Sequence, residues 1–295
     1  MHPKFTKLFL DRKDDAMPSQ ITASPDSSAE PRVHLFQIAY SQETLKQVEE
    51  GFLLLDNLSN ERPDWFEYWP IRNFLLGQQM EEESFYGFFS PKFRPKMGLS
   101  AAQVKHFVLD HADGADVVLF NPAPDVGAFV LNVFEQTDAL EPGMIAAYDA
   151  FLHSAGYPIS SKDLLMDSRQ IVFCNYFVAR PAFWRIWLEL NETMFRLAED
   201  PADPVGALLR VTTNYPGAPQ RKVFLQERAA SVILTIYKRW RSVRYNNLST
   251  KKSSSALMEY STELVISDAL KIAFRETRDQ VYIAAYDKIR ANMFK

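Results

Sequence analysis

The residues of this chain that could do chemistry are polar side chains next to short apolar runs. They are Tyr40, Ser41, Asp56, Asn57, Lys92, Arg94, Lys96, Asn121, Asp125, Asn175 and Tyr176. If the apolar runs are parallel strands of one sheet, these residues gather along its carboxyl edge, where open α/β sheets bind their ligands. Such a set of groups could hold a base, a ribose, a diphosphate and a second substrate. The same residue types form turns, so the alternative is that they only shape the backbone.

The strongest of these signals is the segment from 90 to 96, SPKFRPK, which follows an apolar run. It contains three cations at alternate positions and two prolines that stiffen the backbone. Alternate side chains of an extended loop project to the same side, and cations grouped in this way suit a diphosphate. The sequence therefore predicts a diphosphate-binding loop, and the alternative is a solvated run of charge.

An alternation of strands and helices must position these residues. Apolar runs predict strands over 33–40, 52–55, 85–89, 117–120 and 171–178. Helical patterns separate most of them, and one of these helices begins with a capping box formed by Ser100 and Gln103. The alternation predicts an α/β, Rossmann-like fold with a mostly parallel sheet.

Three regions are predicted along the chain. Residues 1–31 are rich in Ser, Pro and Asp, a composition that predicts a flexible N-terminal tail. Residues 32–200 are predicted to form the α/β core. Residues 201–295 contain helical patterns over 223–240 and 261–293, which predict a helical C-terminal region packed on the core.

The composition excludes several classes of protein. With a formal net charge of -4 over 295 residues, the chain lacks the basic character of a general nucleic-acid binder. Its single cysteine, Cys174, allows neither a disulfide nor a thiolate metal cluster within the chain, which fits a reducing compartment. No apolar run is long enough for a membrane span and no signal peptide is visible, so a cytoplasmic protein is expected.

Common nucleotide-binding and catalytic motifs are missing from the sequence. It has no G-x-G-x-x-G, no G-x-x-x-x-G-K-[ST] and no G-x-S-x-G. The five histidines have no H-E-x-x-H or similar ligand spacing, so a zinc site is not expected.

Several segments carry a resemblance to a known family. Their order is FLLLDN, PDWFEYWPIRNFL, FYGFFSPKFRPKMGLS, ADVVLFNPAPD, a DSR loop, CNYFVARPAFW and FLQERAASVILT. Over residues 33–240 this order resembles bacterial glycosyltransferase-type proteins of polysaccharide and surface-glycan loci. The resemblance implies a GT-A-like fold that binds a nucleotide-sugar donor and a glycan or lipid-linked glycan acceptor.

A glycosyltransferase would use the polar residues at the strand ends in separate roles. The donor would contact Tyr40, Ser41, Asp56, Asn57, Lys92, Arg94, Lys96 and Asn121. Asn175 and Tyr176 would line the acceptor half of the cleft, with Asp167 and Arg169 on the loop that approaches it; the alternative is that Tyr176 packs under the following helix.

The chain departs from the family at the metal site. Many GT-A enzymes carry Asp-x-Asp at a strand end to bind a divalent ion, whereas this sequence has Asn121-Pro122-Ala123-Pro124-Asp125. Oxygen ligands for a hard cation are therefore sparse. The expectation is metal-independent donor binding with the cations of 92–96 on the diphosphate, and the alternative is a Mn or Mg ion.

An inverting transfer also needs a carboxylate that accepts the proton of the acceptor hydroxyl. Asp125 and Asp167 are the candidates for this base, and Asp64 and Glu227 are weaker ones.

Two other functions share these features. A non-catalytic nucleotide-binding or sugar-binding protein would have the same fold, and a structural partner protein would expose the aromatic segments 64–76 and 183–190 as a patch. A basic run could also give peripheral contact with the inner membrane surface or be a solvated surface. Its residues are Lys238, Arg239, Arg241, Arg244, Lys251 and Lys252.

Overall fold

Six short strands form one mixed sheet in the computed structural model, which describes residues 32–248 and 256–293. They are β1 (Val33–Ala39), β2 (Leu53–Asp56), β3 (Phe85–Phe89), β4 (Val117–Leu119), β5 (Phe177–Ala179) and β6 (Ser242–Arg244). Their order is β2-β1-β3-β5-β4-β6, and only β5 is antiparallel to its neighbours. The predicted α/β class and mostly parallel sheet are confirmed. The predicted tail, 1–31, lies outside the described residues.

Helices connect the strands and cover both faces of the sheet. In the core region they are α1 (Gln42–Lys46), α2 (Tyr68–Gly77), α3 (Phe93–Met97), α4 (Ala101–Asp110), α5 (Pro124–Phe129), α6 (Val133–Leu140), α7 (Met144–Ser154) and α8 (Pro181–Glu199). After residue 200 they are α9 (Pro204–Leu209), α10 (Arg221–Gln226), α11 (Ala229–Ile236), α12 (Ser261–Thr277) and α13 (Gln280–Asn292). The predicted capping box is present at the start of α4, where the Ser100 side chain accepts from Gln103 N–H.

The sequence predicted a helical C-terminal region, but this region also contains a strand. Strand β6 pairs with β4 and completes the sheet. The long helical pattern of 261–293 is also divided. Arg278 has φ 62° and ends α12 in a left-handed turn, after which α13 packs back on α12. A region placed outside the core by its sequence thus supplies an edge strand.

The predicted strand 171–178 is the largest error in the sheet. Only 177–179 are extended, because Cys174 and Asn175 have φ 63° and 54° and reverse the chain in a tight turn. Tyr176 N–H closes this turn on the Phe173 carbonyl at 3.3 Å. Strand β5 therefore enters the sheet antiparallel, and its amino end lies at the carboxyl edge of the parallel strands.

The rings of the two aromatic segments are mostly buried, and Phe66 is exposed. Trp65, Tyr68, Trp184 and Trp187 have no exposed surface, and Trp184 stacks on Phe177 of β5 with ring centroids 4.4 Å apart. These rings pack the face of the sheet opposite α4. The exposed aromatic patch that would indicate a structural partner protein is absent from these two segments.

Buried polar contacts fasten α12 to the core. Asp268 accepts from Ser168 N–H at 2.8 Å, and Lys271 donates to the carbonyls of Gly127 and Val130 at 2.7 and 2.8 Å. Within residues 32–248 and 256–293, no helix combines the length and apolar character that crossing a membrane requires.

Candidate functional site

The strand order places a topological switch point at the carboxyl ends of β1 and β3. Strand β1 lies between β2 and β3, so the connections that leave β1 and β3 diverge to opposite sides. Ligands of open α/β sheets bind at such switch points. Tyr40 follows β1 and Ser90 follows β3, while the turn before β5 brings Tyr176 to the same edge.

Charged side chains from separate elements interact electrostatically at this edge. We call them the edge cluster, and they are Glu67, Lys92, Lys96 and Glu227. Glu67 directly precedes α2, Lys92 caps α3, Lys96 lies in the last turn of α3, and Glu227 follows α10. The cluster therefore forms only when the chain has folded.

Glu67 is the most perturbed carboxylic acid of the edge cluster. Glu67 is half-buried, unlike the fully buried Asp125 and Asp167, and the protein around it restricts the solvent at its carboxyl group. This burial and the nearby Glu227 carboxylate raise the pKa of Glu67 to about 7, against a smaller opposing effect of Lys96 and Lys92. A carboxylic acid with this pKa can both release and accept a proton near neutral pH.

Glu227 is held in place by its neighbour. Its carboxylate lies 2.9 Å from Arg228 Nη1, and the Arg228 side chain is itself nearly buried. Arg228 also donates to Thr137 Oγ1 at 3.1 Å and Gln136 Oε1 at 3.3 Å on α6. Glu227 therefore presents a fixed negative charge to Glu67.

The cations of 92–96 do not project together as predicted, because the segment forms helix α3 instead of an extended loop. Helical positions four apart share a face, whereas positions two apart do not. Lys92 and Lys96 both act on Glu67, but Arg94 turns away to Glu49 at 2.7 Å. The structure thus keeps two of the three predicted cations at the site.

Lys96 also contacts the turn that precedes β5. Its Nζ lies 3.1 Å from Cys174 Sγ and 5.8 Å from the centre of the Tyr176 ring. Burial raises the pKa of the Cys174 thiol to about 11, so Cys174 is protonated at neutral pH and is not a nucleophile.

Strained backbone surrounds the edge cluster. Phe66, next to Glu67, has φ 49° and ψ -131°, and Cys174 and Asn175 are also at positive φ. Such conformations are rare for residues other than glycine and concentrate at functional sites. Asn175 donates to Gln226 Oε1 at 3.4 Å, while its own Oδ1 and Gln226 Nε2 are buried without a hydrogen-bond partner.

The predicted donor residues of β1 and β2 divide into two groups. Tyr40 is 41% exposed at the end of β1, and Asp56 is exposed at the end of β2, where it accepts from Leu58 N–H. Ser41 instead caps α1 in a capping box with Thr44, and Asn57 is buried. Tyr40 and Asp56 are therefore the accessible pair of this group.

Asn121 and Asp125 serve the backbone after β4. Asn121 Oδ1 accepts from Ala123 N–H at 3.0 Å. Helix α5 begins at Pro124 with Ala123 as its cap, and Asp125 lies in its first turn. The Asp125 side chain has no exposed surface, and in this position it cannot take a proton from a substrate.

Asp167 is also fully buried and is bound by two arginines. Its carboxylate contacts Arg169 at 2.9 Å and Arg275 at 3.1 Å. Arg169 in turn binds Glu276 of α12, so neither Asp167 nor Arg169 is available as a base or an acceptor ligand. The weaker candidate Asp64 is paired as well, with Arg62 and Lys222.

Tyr176 lies in the core, not on an acceptor surface. It has no exposed area, its ring packs on Phe93, and its hydroxyl shares a 2.8 Å hydrogen bond with Ser90 Oγ. The ring face predicted to contact a sugar is covered by the protein.

Tyr176→Phe should lower the free energy of unfolding by about 1 kcal/mol, because it removes the buried hydrogen bond to Ser90. Urea unfolding of Tyr176→Phe, Ser90→Ala and the double variant measures this. The double variant should lose less than the sum of the two single losses, since both remove the same bond. Unchanged stability of Tyr176→Phe with impaired ligand binding would instead place its hydroxyl in the site.

Two of the four described residues of the basic run are engaged in ion pairs. Arg241 lies 3.5 Å from Asp116, and Arg244 lies 3.4 Å from Asp268. Lys238 and Arg239 are exposed, and the Arg239 guanidinium lies 4.7 Å from the Trp240 ring centre. Lys251 and Lys252 lie outside the described residues. In the part of the chain that the structure describes, no group of three His, Cys, Asp or Glu side chains is arranged to hold a metal ion.

Glu67 was missed by sequence reasoning. It lies in an aromatic segment of helical pattern, and its position depends on the positive φ of Phe66 and on Glu227, which is distant in sequence. Neither is visible in the local pattern. Glu227, a weaker candidate from the sequence, does lie at the site.

Comparison with known proteins gives no relative for this chain: no family model, no curated protein and no solved structure matches it.

Proposed function

We propose that this protein is a glycosyltransferase that moves a sugar from a nucleotide-sugar donor to a glycan acceptor in bacterial surface-polysaccharide synthesis. The observation that carries the proposal is the edge cluster, in which two lysines and two glutamates meet beside the β1–β3 switch point. The lysines suit a diphosphate leaving group, and a carboxylate suits the activation of a hydroxyl.

The surroundings of the cluster support a donor site. A nucleoside diphosphate that enters at the switch point would meet Tyr40 and Asp56 at the ends of β1 and β2 and the two lysines beyond β3. An aromatic ring and a carboxylate are suitable contacts for a base and a ribose. A mostly parallel sheet with one inner antiparallel strand is compatible with the GT-A-like expectation.

The lysines also support metal-independent donor binding. Lys92 and Lys96 follow β3 at the position where the diphosphate is proposed to lie, and fixed cations can stabilise the charge that develops on it. We therefore expect EDTA to leave the affinity for a nucleoside diphosphate unchanged. Restoration of a lost affinity by Mn or Mg would contradict this part of the proposal.

Lys92→Ala and Lys96→Ala should each weaken nucleoside diphosphate binding, because each removes a charge-assisted contact worth about 1.5 to 3 kcal/mol. The expected loss is roughly tenfold to a hundredfold for each variant. Arg94→Ala is the matched control, since Arg94 lies on the same helix with the same charge but is bound to Glu49. Isothermal titration with UDP, GDP and dTDP measures all three variants.

The outcomes separate the function from its alternative. Equal losses in Arg94→Ala and Lys96→Ala would show that only the general charge of α3 matters and would move the donor site elsewhere. Binding of nucleotide sugars without release of nucleoside diphosphate, in the presence of glycan acceptors, would favour the non-catalytic binding protein.

A further inference from the structure

We propose that Glu67 is the general base of the transfer reaction and that Glu227 is a positioning residue that keeps Glu67 ready to accept a proton. This inference rests on the proposed function and assigns the acceptor-activating group within the same site. Sequence reasoning had placed this role on Asp125 or Asp167.

Position is the first argument for Glu67. It enters the edge at the residue that directly precedes α2. It interacts with Lys92 and Lys96, the residues proposed to hold the leaving diphosphate. A base near the leaving group is what a displacement at the sugar carbon requires, because the acceptor hydroxyl must lie in line with the breaking bond.

Elimination of the other carboxylates is the second argument. Asp125 and Asp167 are fully buried, and Asp167 is neutralised by two arginines. Asp64 is held by Arg62 and Lys222, and these contacts lower its pKa despite partial burial, so it is a weak base. Asp56 is exposed at the end of β2, where it is proposed to contact the donor. Among the other carboxylates proposed from the sequence or found at the edge, Glu67 and Glu227 remain.

The two glutamates differ in their partners. Glu227 is bound to Arg228, whose side chain is nearly buried. No ion pair within 4.0 Å joins Glu67 to a lysine, an arginine or a histidine of the described residues. The Glu67 carboxylate is therefore the one of the two that is not held by a cation, and the nearby Glu227 disfavours its ionisation.

Backbone strain gives an independent reason for the position of Glu67. Phe66 is a bulky residue at φ 49° and ψ -131°, a conformation that costs about 1 to 3 kcal/mol. Its side chain is 45% exposed, so burial of the ring does not explain the strain. This conformation of Phe66 sets the path of the backbone into the next residue, Glu67.

The acceptor oxygen forms a bond to the anomeric carbon while its proton passes to a Glu67 carboxylate oxygen. The bond between the anomeric carbon and the phosphate oxygen breaks, and its electron pair leaves on the nucleoside diphosphate between Lys92 and Lys96. Glu67 then releases the proton to solvent, and the anomeric configuration is inverted.

The proposal predicts a specific pH dependence. Glu67 must be ionised to act, so turnover should rise with pH through its pKa and level off above it. The charged and titratable groups that face it are Glu227, Lys96, Lys92, Tyr40 and Tyr176. Burial raises the pKa of Tyr40 and of Tyr176 above their usual value, so Glu67 is the group that titrates near neutral pH.

Glu67→Gln and Glu227→Gln test the two roles separately. Release of nucleoside diphosphate from a panel of UDP-, GDP- and dTDP-hexoses gives turnover, and calorimetry with UDP, GDP and dTDP gives affinity. Glu67→Gln should lower turnover by about 100-fold or more with unchanged diphosphate affinity. Glu67→Asp keeps a carboxylate and should lose less, which guards against a variant that fails to fold.

Glu227→Gln should instead keep a measurable rate and move the acid limb of the pH profile to lower pH, because one like charge near Glu67 is removed. Glu49→Gln is the control, because Glu49 is bound to Arg94 and does not belong to the edge cluster. It should leave the acid limb of the pH profile in place. A residue with a purely structural role would lower stability without moving the limb.

Each outcome decides one claim. If wild-type protein turns over and Glu67→Gln matches it, Glu67 is not the base and the proposed function stands. If the wild type binds no nucleoside diphosphate and releases none, the proposed function itself fails. If Glu227→Gln leaves the limb where it is, Glu227 does not position the base.

Discussion

Asp167→Ala should lower the free energy of unfolding by about 3 to 5 kcal/mol, because it leaves two buried or half-buried arginines without their anion. The Asp167 carboxylate accepts hydrogen bonds from two side-chain nitrogens of Arg169, and it also forms an ion pair with Arg275 Nε. It has no exposed surface, so water cannot replace it as a partner. The expected loss is a large fraction of the stability of an ordinary domain.

The effect should concentrate on α12. Arg275 belongs to that helix, and Arg169 reaches it through Glu276 at 2.7 Å. Removal of the shared anion therefore frees both arginines at the same contact between α12 and the 161–170 loop. Hydrogen exchange should show lost protection in α12 before the strands of the sheet are affected.

Glu276→Ala is the matched control for this prediction. It removes a carboxylate bound to the same Arg169, but the Glu276 side chain is 63% exposed, so the expected cost is below about 1 kcal/mol. Urea unfolding of both variants gives the comparison. If Asp167→Ala unfolds like the wild type and loses only turnover, Asp167 is a catalytic group and the assignment to Glu67 fails with it.

The parts of the fold that follow from local chemistry were predictable. Predominantly apolar runs marked β1, β3 and β4, and the capping box at Ser100 marked the start of α4. These signals are local because burial of a strand and capping of a helix each depend on a few neighbouring residues.

The direction of β5 was not predictable in the same way. The turn at Cys174 and Asn175 needs two residues at positive φ, and glycine, the usual signal for it, is absent from both positions. Tertiary packing of Tyr176 and Phe177 on the sheet stabilises a turn that the sequence does not announce.

The conformation of the cationic segment 90–96 was not predictable from the sequence either. Pro91 and Pro95 suggested an extended segment, yet Pro95 lies within the first turn of α3, where its missing N–H costs nothing. The change from loop to helix pairs Lys92 with Lys96 and sends Arg94 to Glu49. The identity of the cations could be predicted from the sequence, but their grouping required the helix.

Lys271→Met is expected to destabilise the protein strongly and to do so more as the pH rises above 8. Lys271 has no exposed surface, and its Nζ donates to the carbonyls of Gly127 and Val130. Methionine has a similar length and no donor, so two buried carbonyls lose a partner at a cost of about 1 to 3 kcal/mol each. In the wild type, the Lys271 side chain connects α12 to the end of α5.

The pH dependence follows from the depressed pKa of Lys271. Burial lowers this pKa from 10.5 to about 8, although the nearby carboxylates of Asp268, Asp167 and Glu135 oppose the shift. The neutral amine still has two N–H groups for the two carbonyls. Burying the ammonium therefore costs stability below pH 8, and this cost disappears as the native amine loses its proton.

The contribution of Lys271 to the stability of the native protein increases as the pH rises above 8. Between pH 8 and 10.5 the unfolded chain keeps the Lys271 proton and the native protein does not, so this group makes unfolding less favourable as the pH rises. Its contribution to the slope is at most about 1.4 kcal/mol per pH unit. Burial raises the pKa of the adjacent Tyr286, so this tyrosine does not titrate in the same window.

Urea unfolding of the wild type and Lys271→Met at pH 7, 8, 9 and 9.5 measures the difference, in which titrations common to both proteins cancel. The gap in unfolding free energy should widen by about 1 to 2 kcal/mol from pH 8 to 9.5. Lys288→Met, at an exposed position of α13, is the control and should show a constant gap. If the gap for Lys271→Met narrows over this range, the native protein holds the ammonium form. The carbonyls of Gly127 and Val130 then bind a charged group instead of a neutral amine.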